Sequence, residues 1–143
     1  MTFTKVSTGY QVRLFPGENA HEAFIKFAKK EGIKGVAIAG LGAVKDVELG
    51  YLHLDEKKFH FTMHEGMYEL VGLNGNISMI DGEPSVHLHG LFSDNDHLVI
   101  GGHVKSMIVA VAIEAHVITH GVEFIKEMDE FSGLKMLKLS ETL

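Results

Sequence analysis

Gly9-Tyr10-Gln11-Val12-Arg13-Leu14-Phe15-Pro16-Gly17-Glu18-Asn19-Ala20-His21-Glu22-Ala23-Phe24-Ile25-Lys26-Phe27-Ala28-Lys29-Lys30-Glu31-Gly32 holds a strand, a turn and a helix in succession. Tyr10, Val12 and Leu14 fall on one side and Gln11 and Arg13 on the other, which is the two-residue period of a strand. Pro16-Gly17 ends it. Asn19 stands where a helix N-cap belongs, with Glu22 three residues on in the capping-box position. Ala20, Phe24, Phe27, Ala28 and Glu31 then recur at helical spacing, apolar until the last, while Lys26, Lys29 and Lys30 lie largely elsewhere, and Gly32 closes the helix.

Everything downstream reads as β-structure. Gly35 to Ala39 is small and apolar, as in a buried strand, and Gly40-Leu41-Gly42 reads as a bend before Val44 to Leu54. Phe59 to Met63, Tyr68 to Ile80, Ser85 to Phe92, Leu98 to Val104 and Ile108 to Ile118 continue the series, and Glu123 to Met128 and Lys135 to Leu139 close it around Ser132-Gly133. Asp81-Gly82 and Ser93-Asp94-Asn95-Asp96 have hairpin-turn chemistry. Asn74-Gly75 reads either as another turn or as a glycine inside one long strand. The pattern predicts an α+β fold, a mainly antiparallel β-sheet with one principal helix after the first strand.

The chain has 143 residues, 45% apolar and 22% charged, which suits one soluble domain over 1–143 with a core at about 9–139. Cysteine is absent, so disulfides and thiolate metal sites are excluded. The start lacks the pattern of a secretory signal, and the most apolar stretch, Met107 to Ile118, is too short to span a bilayer and carries Glu114 and His116. A cytoplasmic protein with no membrane association is expected. The net charge is −6 and Arg13 is the single arginine, so direct DNA binding is disfavoured. Lys26, Lys29, Lys30 and Lys34 read as a solvated helix face.

Ten histidines are an unusual number for this length. His87 and His89 lie two apart in Pro84-Ser85-Val86-His87-Leu88-His89-Gly90-Leu91-Phe92, so a strand there projects both imidazoles from one face, about 7 Å apart at the backbone. His103 joins them if Ser85–Phe92 and Leu98–Val104 form a hairpin. A three-residue loop at 94–96 sets His103 against His87, and one at 95–97 sets it against His89. A two-residue loop aims it to the other face, and a bulge at Gly101-Gly102 shifts the match. Three neutral nitrogens with no fourth protein ligand suit zinc and leave a coordination position for water or a small ligand. His21, His53, His60, His64, His97, His116 and His120 have no such spacing and read as surface or packing residues.

The segments Gly66-Met67-Tyr68-Glu69-Leu70-Val71-Gly72-Leu73-Asn74-Gly75-Asn76-Ile77-Ser78, His87-Leu88-His89 and Gly101-Gly102-His103, with Ile113-Glu114-Ala115 and the tail from Phe124 to Leu139, resemble the successive motifs of the plants-and-prokaryotes conserved (PPC) domain. The resemblance runs from about Gly9 to Leu139 and implies the stand-alone prokaryotic type, a mainly antiparallel sheet with a helix, assembled as a homotrimer. It also implies a metal site, zinc, at His87, His89 and His103. Plant members carry AT-hook segments, whose Arg-Gly-Arg-Pro core does not occur here, and Met67 stands where their interaction motif has arginine. Glu69 and Glu114 match acidic positions of the family pattern. They read as salt-bridge or strand-edge residues, or as partners of a ligated imidazole's second nitrogen, or as a general base near bound water. The function expected is metal binding with a small-ligand or hydrolytic site. The alternative is a non-enzymatic regulatory or DNA-associated module acting through protein partners.

Overall fold

A computed structural model describes residues 1–141. Eight strands and one α-helix follow in the order β1 Thr2–Val6, β2 Gly9–Leu14, α1 Ala20–Glu31, β3 Val36–His53, β4 Lys58–Ile80, β5 Glu83–Ser93, β6 Val99–Thr119, β7 Lys126–Asp129 and β8 Leu134–Leu137. The helix follows the strand read from Gly9, which is second in the chain because Thr2–Val6 pairs with it as an edge strand. With so few apolar residues, β1 gave no periodic signal.

The helix forms where its caps say. The Asn19 side-chain oxygen accepts from the Glu22 N–H at 3.2 Å, and Gly32 takes the left-handed conformation at φ 65° and donates its N–H to the Ala28 carbonyl. Ala20, Ala23, Phe24, Phe27 and Ala28 are its buried face. Lys29 pairs with Glu83 at 2.6 Å and Lys34 with Glu123 at 3.6 Å, so part of the basic stretch is already neutralised.

Three pairs of segments that read separately in the sequence are single long strands. β3 runs through Gly40-Leu41-Gly42 with register shifts at Gly40/Gly42 and Lys45/Val47, so the expected bend is a bulge. β4 joins Phe59–Met63 to Tyr68–Ile80, and β6 joins Leu98–Val104 to Ile108–Ile118. Polar interruptions such as His64-Glu65 and Lys105-Ser106 mask this continuity, because they sit on outward or irregular positions. Gly75 lies inside β4, opposite Leu88, so Asn74-Gly75 is no turn.

The six-stranded sheet has the order β1-β2-β6-β3-β4-β5, and β5 also pairs with β6, which closes β3, β4, β5 and β6 into a ring. All strand pairings in it are antiparallel. Val36, Ile38, Leu73, Ile77, Leu88, Phe92, Val104, Met107, Val109 and Ile113 point inward, and α1 covers them with Phe24 and Phe27. Bonds from the Val109 N–H to the Glu18 carbonyl (2.9 Å) and from Gly17 N–H to the Val109 carbonyl (2.9 Å) tie the start of the helix to β6. The β7–β8 hairpin lies apart, joined to β4 by the Met79 N–H bonded to the Phe124 carbonyl at 2.6 Å.

Candidate metal centre

The hairpin between β5 and β6 settles the register. The Asp94 N–H bonds the Leu98 carbonyl at 3.1 Å, and the Asp94 carboxylate accepts from the N–H groups of Asp96 and Leu98, both at 2.9 Å. Ser93 then faces Val99, and the ladder runs without a bulge through Leu91–Gly101 and Gly90–Gly102 to His89–His103. This is the 95–97 loop alternative. Leu88 and Val104 point into the core, so His87, His89 and His103 share the outer face.

Their rings meet there. Centroids are 5.0 Å apart for His87–His89, 5.0 Å for His87–His103 and 5.4 Å for His89–His103, and one nitrogen from each lies within 4.8 Å of the others. Zinc takes imidazole nitrogens at about 2.0–2.1 Å, and the three rings are close enough together to be candidate ligands of one ion. His103 Nδ1 is buried without a hydrogen-bond partner, which fits a nitrogen meant for an ion.

Protonation favours the same use. Burial, then the Lys126 charge and the neighbouring imidazoles, push His87 down to about 4. Burial and then His89 and Lys126 lower His103 as well. Neutral rings present lone pairs without a proton to displace.

Five residues around the cluster were not marked as site residues by the sequence. The Phe59 ring lies against His103, tilted by 31° with centroids 4.6 Å apart. Asn76 faces His87 across the β4–β5 ladder, as Asn74 faces His89, and the buried Asn76 Oδ1 has no partner. The alternation of Asn74 and Asn76 around Gly75 was the available signal, once that segment is read as strand. Lys126 reaches the site from β7, and no local pattern pointed to it. His21, read as an ordinary packing residue, sits behind His103 at the start of α1, its Nδ1 buried and unpartnered. Burial and then His103 push it down to about 4, against a smaller opposing effect of the Val104 carbonyl.

Glu69 and Glu114 are brought together, but elsewhere. Both line a depression with Leu41, Ala43 and Val111, and neither lines the cavity beside His87 and His103. The bond from either glutamate to a ligand imidazole of the same chain, considered from the sequence, is not made among the described residues.

The depressed histidines give the metal-free protein a defined acid response. The unfolded chain takes up protons at about 6.5, the folded chain at His21 and His87 only near 4, so between these values the unfolded state binds more protons. Stability is then fully present above about pH 6.5 and is lost as pH falls toward 4. Calorimetry should find Tm level above about pH 7 and falling from about 6.5 to 4.5, with a shallower fall in His21→Gln. A Tm that stays level through that range would contradict the buried neutral rings.

Comparison with known proteins places this geometry. The family described as the Plants and Prokaryotes Conserved (PCC) domain matches residues 1–121. Among solved structures, a plant- and prokaryote-conserved (PPC) protein of Pyrococcus horikoshii is 32% identical, covering 99% of this chain and 97% of that one, with a TM-score of 0.86. A metal-containing protein of Archaeoglobus fulgidus is 26% identical over 97% of this chain and 99% of its own, with a TM-score of 0.85. A protein of Ralstonia eutropha, provisionally described as DNA-binding, shares the fold at 24% identity over 96% of each chain, with a TM-score of 0.90. Curated protein sequences give no match. With most of its length matched and its helix-plugged sheet shared, the chain belongs to the plants-and-prokaryotes conserved domain family.

Proposed function

We propose that this single-domain protein is a metal-binding homotrimer that holds zinc on His87, His89 and His103 and takes a small ligand at the remaining coordination position. The convergence of three imidazoles from two strands carries this reading, and the metal-containing relative from Archaeoglobus supports it. Zinc there would supply Lewis acidity and an acidified water, the requirement for hydrolytic chemistry. The chain's own residues would fix the rings: Phe59 packs against His103, and Asn76 offers an acceptor beside His87.

Trimerisation finds support in a row of exposed apolar residues across three neighbouring strands. Leu41 on β3 is 57% exposed, Val71 on β4 56% and Leu91 on β5 51%, and Gly72 beside Val71 pairs with Leu91. Glu69 and Glu114 lie beside Leu41 in the same depression. The absence of cysteine fits a cytoplasmic setting. Among the described residues no helix is long and apolar enough to cross a membrane.

Metal analysis of untagged protein tests the reading. About one zinc per chain is expected, and His89→Ala, an exposed position, should lower affinity by on the order of 100-fold, since about 3 kcal/mol per ligand is the usual share of a zinc site. Equal zinc content in both proteins would remove the site. The alternative, a regulatory module associated with DNA, is favoured by the description of the Ralstonia relative. The net charge of −6 and the single arginine oppose direct contact.

A further inference from the structure

A cavity of about 560 Å³ opens beside the imidazoles, between the outer face of β4–β5 and the β7–β8 hairpin. Its wall is divided. His87, His103, Asn76 and Lys126 lie at one part, and Ile80, Val86, Leu134, Met136 and Leu137 supply apolar surface. Among the described residues, no aspartate or glutamate lines it. Its second lysine, Lys135, is already paired with Asp81. Lys126 makes no ion pair or side-chain hydrogen bond among the described residues, although it is half-buried. A half-buried ammonium without a counter-charge is costly. An ion on the histidines would raise the positive charge of this end further, with no carboxylate among the described residues lining the cavity to balance it.

The missing component is therefore negative, and the rest of the wall says what it is attached to. We propose that the cavity binds a small organic carboxylate, its carboxylate placed between the Lys126 ammonium and the open position at His87, His89 and His103, and its apolar body against Leu134, Met136 and Leu137. This deepens the metal-site reading above and rests on it. An amine would meet like charge at the same end, and an alcohol would leave Lys126 unbalanced. Inorganic phosphate would satisfy the charge and leave the apolar wall wet.

Calorimetric titration of zinc-loaded protein with hexanoate, acetate, hexanol, hexylamine and inorganic phosphate distinguishes these. Hexanoate should bind at least about tenfold more tightly than acetate, because each buried methylene is worth about fourfold in affinity. It should exceed hexanol and phosphate by a similar margin, and hexylamine should not bind. Lys126→Met, which keeps the length and apolar stem, should weaken hexanoate about tenfold or more while leaving acetate-free zinc content unchanged. The zinc content of each sample, measured by mass spectrometry, reports on the histidine site independently. Protein that holds zinc and binds hexanoate no better than hexanol or phosphate, or that binds it equally after Lys126→Met, overturns the carboxylate inference alone. Metal-free protein that binds hexanoate as tightly as the loaded form overturns the bridging of metal and lysine. Protein that never takes up zinc overturns the underlying metal reading instead.

Discussion

Gly75→Ala is expected to destabilise the protein by more than about 3 kcal/mol and to remove the proposed metal binding with it. A β-carbon at Gly75 would stand 2.0 Å from the His87 carbonyl oxygen and 2.7 Å from a Leu88 methyl. The first of these is backbone, so no side-chain rotation relieves it. β5 must move away from β4 by more than an ångström, and the residue whose carbonyl is displaced is itself one of the three imidazole carriers. Leu88 is fully buried, so the same shift opens the core beneath it. Gly72 is the control on the same strand, since a β-carbon there meets nothing within 4 Å. Gly72→Ala should unfold within about 1 kcal/mol of the parent in urea, while Gly75→Ala loses most of its transition or fails to accumulate as soluble protein. A Gly75→Ala protein with near-parental stability and zinc content would show that β4 and β5 are less closely apposed than the structure has them.

Leu41→Glu combined with Val71→Glu should convert the proposed trimer to monomers at micromolar concentration. Both side chains are more than half exposed in the single chain and sit on adjacent strands, so they leave the core intact when charged. Burying two carboxylates without partners in a subunit contact costs several kcal/mol, and a trimer repeats that cost at every interface. Sedimentation velocity should report the mass of one chain, with an unchanged circular dichroism spectrum. A variant that keeps the parental trimer mass would place the contact on another surface, and a parent that sediments as a monomer would remove the trimer from the proposal.

The contrast between these residues and the histidines shows what the sequence could carry. His87 and His89 were readable because a strand's alternation fixes their common face without any knowledge of the fold. His103 was readable only conditionally: two three-residue loops set it opposite His87 or His89, a two-residue loop aims it to the other face, and the Asp94 carboxylate selects among these turns by bonds that no pattern announces. The helix was legible from its caps and its apolar stripe. Strand continuity was not: β3, β4 and β6 bend through bulges and carry polar residues at those bends, and the alternation lapses there. Lys126 was out of reach for a different reason, because it arrives from a hairpin whose placement is decided by tertiary contacts of Met79 with Phe124. His21 was hidden by its helix, which turns a residue far away in the chain toward the back of the site. Glu69 and Glu114 match family positions, yet the fold assembles them at a separate depression.

The ring formed by β3, β4, β5 and β6 has its shortest pairing between β5 and β6, and that seam carries His89 opposite His103. An ion held by the proposed site would bridge both strands and act as a rivet across this short seam. On that reading, displacing the ion would leave the closure of the ring to the six residue pairs of the β5–β6 ladder alone.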